Sequence, residues 1–406
     1  MELLYHSLKN GIRLVHHPVP GMVAHCGLII NTGSRNELDR EHGIAHFIEH
    51  MLFKGTRTRK AYHILSRMED VGGELNAYTT KEETAIHASF LNAHYARALE
   101  IISDVAFNSV WPLKEIEKEK DVVIEEINSY KDNPAELIFD DFEEIVFDGQ
   151  PIGRNILGTY ESVRSFSRAM IMEFILRSYI TEEMVFCSVG NISWRRLVKL
   201  FEQYFSEIRT GLVAPSKDTD WTYIPANISK DLDTWQAHCI IGNLAYDVHS
   251  ERRTGMILLN NILGGQGLNS RLNLSLREKN GFAYNVESSY NPYSDTGIFL
   301  IYFGTEAKNL EKSLSIALRE MKQLRDVRLG VNQLTRAKNQ IKGYLARSYE
   351  NHENLMLSIG KSLQVFNRIE SIGEIYAKID KVDSSEILGI ANEIFDESKL
   401  SRLIYK

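Results

Sequence analysis

An internal repeat constrains the fold of this chain more than any other feature of its sequence. Ala24-His25-Cys26 begins an apolar segment, and Ala237-His238-Cys239 begins another one 213 residues later. Predicted strands and helices follow in the same order in both halves. The corresponding segments are 24–30 and 237–244 (strand), 84–90 and 296–303 (strand), 92–107 and 307–324 (helix), and 112–130 and 330–349 (long helix). Because single matches of this kind are common by chance, the nearly constant separation is the observation that predicts two copies of one domain.

The two copies predict a tandem pair of similar domains. Gly211, Pro215 and Pro225 interrupt the periodic segments at 211–225, which we therefore expect to be a linker. The predicted domains are 1–210 and 226–406. Alternating strand patterns beside longer helices are typical of the α+β class, so we expect each domain to be a mainly antiparallel sheet with helices packed on one face.

The overall composition excludes several classes of partner. The net charge is −7, so no overall basic excess indicates a nucleic-acid partner. The longest apolar runs are far shorter than the ~18 residues that a spanning helix needs, and the first fifteen residues lack the apolar core of a signal peptide. The three cysteines are too widely spaced for a disulfide framework or a CxxC metal site. We expect a cytoplasmic protein with no membrane or nucleic-acid partner.

The segment 41–56, EHGIAHFIEHMLFKGT, contains a candidate metal site. Its apolar residues fall on one side of a helix; these are Ile44, Phe47, Ile48, Met51 and Leu52. His46 and His50 are four residues apart on the other side, so their imidazoles can reach one Zn²⁺. Glu49 lies between them and is displaced around the helix, where it can act on water at the site rather than as a ligand. This His-x-x-Glu-His pattern is the inverzincin motif. The alternative is a solvated helix face rich in His and Glu.

A catalytic zinc usually has three protein ligands, so a third ligand should come from another element. The segment 115–133 has a strong helical pattern in which Glu119 and Glu126 share one face and Glu125 points about 100° away from Glu126. Any single glutamate there could equally be a solvated charge. Given a site that lacks a carboxylate, Glu126 is the preferred ligand and Glu119 an auxiliary carboxylate.

With these residues the sequence resembles the pitrilysin and mitochondrial processing peptidase family. It is similar to the bacterial-type members, whose single subunits have about 400 residues. The matching segments are 46–56 (HFIEHMLFKGT), 73–79 (GELNAYT), 149–159 and 270–284. The resemblance implies that Glu126, which is 76 residues beyond His50, is the glutamate ligand and that Glu119 is a second functional carboxylate. It also implies that Arg277 and Tyr284 hold and polarise the substrate carbonyl. By the internal repeat, Leu259, Ile262 and Leu263 stand in the second copy where His46, Glu49 and His50 stand in the first, so we expect one Zn²⁺ per chain.

The resemblance implies a zinc metalloendopeptidase that hydrolyses extended peptides or small unfolded proteins. Glu49 would act as general base, and Asn76, Ala77 and Tyr78 would form an exposed edge strand that binds the peptide backbone. A paired inner strand is the alternative for that segment.

The family also implies a closed dimeric chamber, so we expect a homodimer whose sites contain Arg277 and Tyr284 from the other subunit. A heterodimer with a related chain is possible. The competing functions are a non-catalytic or partner-dependent subunit of a processing peptidase and a zinc-binding adaptor. The first usually loses the zinc residues or the Arg/Tyr pair, and the second leaves Glu49 without a role.

Overall fold

The computed structural model describes residues 2–210, 221–232 and 234–406. Within these residues the chain forms two compact units, each built from segments of both halves of the sequence. The first unit comprises Met1–Asn128, Arg154–Thr219 and Arg347–Ser371, and the second comprises Ser129–Gly153, Asp220–Ala346 and Ile372–Lys406.

Strands and helices are numbered in chain order among the described residues. The strands are β1 (Leu4–Ser7), β2 (Arg13–Pro18), β3 (Val23–Ile30), β4 (Glu74–Thr79), β5 (Thr84–Leu91), β6 (Met184–Gly190), β7 (Asn227–Lys230), β8 (Ala237–Ala245), β9 (Ala283–Pro292), β10 (Gly297–Thr305) and β11 (Ser401–Tyr405). The α-helices are α1 (Ile44–Met51), α2 (Ala61–Glu69), α3 (Tyr95–Phe107), α4 (Leu113–Lys131), α5 (Pro134–Val146), α6 (Tyr160–Ser165), α7 (Arg168–Ser178), α8 (Trp194–Phe205), α9 (Arg253–Gly264), α10 (Leu310–Asp326), α11 (Val331–Glu350), α12 (His352–Phe366), α13 (Ile372–Lys381) and α14 (Ser384–Ile394).

The first unit contains a six-stranded sheet in the order β1-β2-β6-β3-β5-β4. Only the β2–β6 pair is parallel among the pairs described, so the sheet is mainly antiparallel. The helices α1, α3, α4, α7 and α8 contribute to the main core on one face of this sheet. In α8, for example, Leu197, Phe201 and Phe205 are four residues apart and fully buried, which is the spacing of a helix with one apolar side.

The opposite face of the first sheet packs against α12, which comes from the second half of the sequence. Met356 and Ile359 of α12 pack with Val15, Ile29 and Cys187 in a separate apolar cluster. The central strand β6 is therefore buried on both faces, and its sequence, MVFCSVG, is continuously apolar or small rather than alternating.

The second unit contains a five-stranded sheet in the order β7-β11-β8-β10-β9, in which β7–β11 is the parallel pair. Helices α9, α10 and α14 contribute to the core on one face. Helix α5, from the first half of the sequence, packs on the other face, where Ile138 and Phe142 cluster with Ile240 and Leu300. In α9, Leu259 and Leu263 are fully buried in the core.

The predicted α+β class with two similar domains is confirmed, and the exchanged helices α5 and α12 add a layer on the second face of each sheet. The compact units differ from the contiguous ranges 1–210 and 226–406 because each of these helices packs on a sheet formed by the other half of the sequence. Of the predicted linker 211–225, residues 211–220 lie outside the described residues, while Trp221 and Tyr223 pack in the second unit. None of the helices in the described part of the chain combines the length and apolarity needed to cross a membrane.

Candidate metal centre

A buried carboxylate and a tightly packed glycine fix the start of helix α1, which contains the histidines. Glu37 accepts hydrogen bonds from the backbone N–H of Gly43 (2.8 Å) and of Ala45 (2.9 Å), which the first turn of a helix leaves without internal partners. Gly43 has φ +92°, and a Cβ there would lie 2.6 Å from the carbonyl oxygen of Leu157. Both features hold the helix in one position relative to its neighbours.

The structure brings His46, His50 and Glu126 together, although Glu126 is on a different helix. The Oε2 atom of Glu126 is 3.8 Å from Nε2 of His46 and 3.5 Å from Nε2 of His50. The imidazole rings are 4.6 Å apart. The ligand atoms of His46, His50 and Glu126 all lie within 4.8 Å of one another. Within the described residues, this is the group of three potential metal ligands that meets this criterion. Glu125, one residue earlier on α4, is exposed.

The spacing of these atoms fits a tetrahedral zinc site. With ligand distances of ~2.0–2.2 Å, neighbouring ligand atoms in a tetrahedron are ~3.4 Å apart. The observed separations of 3.5 and 3.8 Å are close to this value. Two imidazole nitrogens and one carboxylate oxygen are also the donor set typical of catalytic zinc. His46, His50 and Glu126 can therefore hold the ion that their sequence pattern implies.

The two histidines differ in their electrostatic environment. Burial, with a smaller effect of His50, lowers the pKa of His46 to about 3, so that its imidazole is neutral and able to bind a metal. Burial also acts to lower the pKa of His50, but the hydrogen bond with Glu119 and the charge of Glu126 outweigh it and raise that pKa. The carboxylates that favour an imidazolium here would equally favour a metal cation.

Glu119 lies behind His50 and contacts it directly. The Nδ1–H group of His50 donates to Oε1 of Glu119 at 2.9 Å, which directs Nε2 of the ring toward Glu126. Burial acts to raise the pKa of Glu119, but hydrogen bonds from His50 and Lys54 outweigh this effect and lower it. Glu119 is therefore ionised and orients a ligand; it is not part of the group formed by His46, His50 and Glu126.

Glu49 is close to the three ligand residues but is not one of the group. Burial and the nearby Glu126 charge raise the pKa of Glu49, while Thr79 of β4 and His50 oppose the rise. A carboxyl with a raised pKa is a better proton acceptor than an ordinary glutamate, which suits a general base.

Strand β4, which contains Asn76, Ala77 and Tyr78, is at the edge of the first sheet and packs beside α1. On its inner side it pairs with β5, with Ala77 opposite Ile86. Among the described residues no strand pairs with its outer side, so its backbone groups there can bind an extended peptide. The side chain of Tyr78 donates a hydrogen bond to Glu83 (3.2 Å), so it is held within the unit.

The structure places Arg277 and Tyr284 side by side in the second unit. Arg277 is in a short π-helical segment, Asn273–Glu278, and Tyr284 is in the edge strand β9. The guanidinium carbon lies 5.0 Å from the centre of the Tyr284 ring, a cation–π distance. Both side chains line a cavity of about 640 Å³. Asn260 and Asn261 of α9 and further residues of β9 also line it.

Two residues of this region were not predicted from the sequence. Lys54 forms an ion pair with Glu119; the sequence signals for it are its place in the matching segment 46–56 and its spacing of four residues from His50. Glu37 is nine residues before His46 and has no local pattern that would reveal its contact with α1. Both contacts depend on how separate segments pack.

Comparison with known families shows to which family the chain belongs. The model described as insulinase (peptidase family M16) matches residues 14–160, and the model described as peptidase M16 inactive domain matches residues 165–341. The chain belongs to peptidase family M16. The resemblance to pitrilysin-type peptidases is thereby confirmed.

Relatives of similar length in this family are named zinc proteases. The uncharacterized zinc protease YmxG of Bacillus subtilis is 33% identical over 98% of this chain and 97% of its own length. An uncharacterized zinc protease of Rickettsia bellii is 35% identical over 98% of this chain and 96% of its own. This likeness supports a zinc peptidase.

Two solved structures show the same fold. A protease from Helicobacter pylori superposes with a TM-score of 0.89 at 20% identity, covering 100% of this chain and 99% of the other. A peptidase M16 inactive domain from Pseudomonas fluorescens superposes with a TM-score of 0.92 at 18% identity, covering 100% and 98%.

Proposed function

We propose that the chain is a zinc metalloendopeptidase that binds one Zn²⁺ through His46, His50 and Glu126 and uses Glu49 as its general base. The observation that carries this proposal is the approach of Glu126 to both Nε2 atoms, at 3.8 and 3.5 Å, from a separate helix. A solvated helix face would not need this convergence.

The roles of the protein groups follow from their positions. A zinc ion held at this site supplies Lewis acidity, which polarises a peptide carbonyl and makes water more acidic. Glu49 takes a proton from the attacking water and passes it to the leaving nitrogen. Glu119 keeps His50 oriented, and Glu37 keeps the start of α1 in place. The side chain of Glu126 is 42% exposed, so substrate can approach from that side.

We further propose that the substrate is an extended peptide or a small unfolded protein. The outer edge of β4 offers backbone donors and acceptors at Asn76, Ala77 and Tyr78, which bind any extended backbone with little regard to its side chains. Because β4 packs beside α1, a peptide paired with this edge would pass the metal centre. A folded domain cannot present an unpaired strand in this way.

Arg277 and Tyr284 are proposed to act on the substrate bound to a second copy of the chain, in a closed dimeric chamber. Their positions on a cavity wall, with Arg277 half-buried and Tyr284 76% exposed, support a role in contacting a ligand. The second candidate is a partner-dependent subunit of a heterodimer. The presence of both the zinc-binding group and the Arg/Tyr pair in one chain favours an enzyme that works as a homodimer.

Two substitutions separate metal binding from hydrolysis. Glu49→Gln should keep about one zinc per chain, measured by elemental analysis, and should lose cleavage of a quenched peptide. His50→Ala should lose both. Glu125→Gln, on the exposed side of α4, is the matched control and should retain both. If Glu49→Gln loses zinc as completely as His50→Ala, the division of roles is wrong. If the unaltered protein binds zinc as a homodimer but cleaves no peptide, the partner-dependent subunit is the better interpretation.

A further inference from the structure

Lys54 completes a chain of contacts that ends at the metal-binding nitrogen of His50. The Nζ atom of Lys54 is 2.7 Å from Oε2 of Glu119, and the other oxygen, Oε1, accepts the Nδ1–H of His50 at 2.9 Å. Each oxygen of the Glu119 carboxylate therefore has its own cationic or polar donor. Such a bridging carboxylate can rotate little without breaking one of the two contacts.

The burial of the carboxylate makes the lysine important. The side chain of Glu119 is 5% exposed, so water provides little stabilisation of its charge, whereas Lys54 is 29% exposed. An ionised carboxylate in such a place needs a compensating cation. Without Lys54, the Glu119 carboxylate would keep only its contact with His50 and could rotate about that single contact.

The position of Lys54 is set by the backbone rather than by a flexible surface loop. Helix α1 ends at Met51, and the backbone N–H of Lys54 donates to the Met51 carbonyl at 3.1 Å. An exposed ion pair typically contributes ~0–1 kcal/mol because both side chains are mobile and hydrated. The pair described here differs, since its acceptor is buried and is also bonded to His50.

We propose that Lys54 is a positioning residue that holds Glu119, and through it the Nδ1–H tautomer and ring orientation of His50, in the state that binds the metal. This inference rests on the proposed zinc site and adds a residue to it. Lys54 does not touch the ion or the substrate, so its effect should appear first in metal affinity.

The test compares zinc affinity, measured by competition with a chromophoric chelator, among Lys54→Met, Lys54→Arg and the unaltered protein. Partners that orient metal ligands typically contribute ~10–100-fold to metal affinity, so Lys54→Met should weaken zinc binding by about tenfold or more. Lys54→Arg keeps the charge and should stay within about threefold of the unaltered protein. The control is Lys118→Met, which removes an exposed lysine paired with Glu115 and should leave the affinity unchanged.

A second measurement distinguishes positioning from a general loss of structure. In the metal-free protein, at a pH high enough for the His50 imidazole to be neutral, nitrogen NMR of His50 should show the Nδ1–H tautomer in the unaltered chain and in Lys54→Arg, and a mixture of tautomers in Lys54→Met. If Lys54→Met does not fold, Lys54→Gln, which keeps a donor without the charge, takes its place with the same expectation.

The inference would be overturned if Lys54→Met bound zinc as tightly as the unaltered protein. It would also be overturned if Lys54→Arg lost as much zinc affinity as Lys54→Met. Absence of zinc binding by the unaltered protein would instead refute the proposed function.

Discussion

The buried histidine His16 should make the first unit unstable in mild acid. His16 is in the central part of β2 and is fully buried. Its Nδ1 atom contacts the Ser188 hydroxyl at 3.2 Å, and its ring stacks on Trp194 with an interplanar angle of 13°. Among the described residues, its Nε2 atom has no hydrogen-bond partner. A charged imidazole would therefore be poorly stabilised, and burial lowers the pKa of His16 to about 4.

The direction of the pH effect follows from this depressed pKa. In the unfolded chain a histidine titrates near pH 6.5, so above that pH both states are neutral and His16 has no effect. As the pH falls below 6.5, the unfolded chain binds a proton that the folded chain refuses until about pH 4. One pKa unit corresponds to ~1.4 kcal/mol, so the group should cost about 2–3 kcal/mol of unfolding free energy between pH 7 and pH 4.5.

The assay is urea unfolding of the metal-free protein at pH 7 and pH 4.5, followed by tryptophan fluorescence. His16→Gln removes the titrating group, so its loss of unfolding free energy between the two pH values should be smaller than that of the unaltered protein by about 2–3 kcal/mol. The same substitution at the neighbouring His17, which is partly exposed, is the control and should leave most of the loss in place. An identical pH dependence in His16→Gln and the unaltered protein would refute the reasoning.

Three further predictions concern the metal centre and the assembly. Glu126→Gln should weaken zinc binding by at least about tenfold, because it removes an anionic ligand, whereas Glu125→Gln should change it little; the reverse ranking in chelator competition would place the ligand one residue earlier. Removal of zinc with a chelator should abolish peptide cleavage, and added zinc should restore it, unless the activity belongs to a contaminant. Co-expression of His50→Ala and Tyr284→Phe chains should restore about a quarter of the unaltered activity, since half of the randomly formed dimers have one site with neither defect. If mixed dimers form but stay inactive in the same assay, Tyr284 of one chain does not act at the zinc site of the other.

The sequence by itself determined the features that depend on local spacing or on repetition. The constant separation of about 213 residues indicated two similar domains, which the two sheets confirm. The pattern of α1 placed His46 and His50 on one side of a helix, because residues four apart in a helix are neighbours whatever the rest of the chain does. The edge position of β4 was also predicted from a short segment.

Only the tertiary structure decided which distant groups meet. Spacing along α4 can place Glu119 and Glu126 on one face, but it does not reveal that this face approaches α1, that Lys54 reaches Glu119, or that Glu37 binds the start of α1. The repeat also does not predict the exchange of α5 and α12. The apolar side of a helix indicates that this side will be buried, but it does not indicate which sheet will cover it. Local periodicity is a property of a few consecutive residues, whereas these contacts are selected by the packing of segments far apart in the chain.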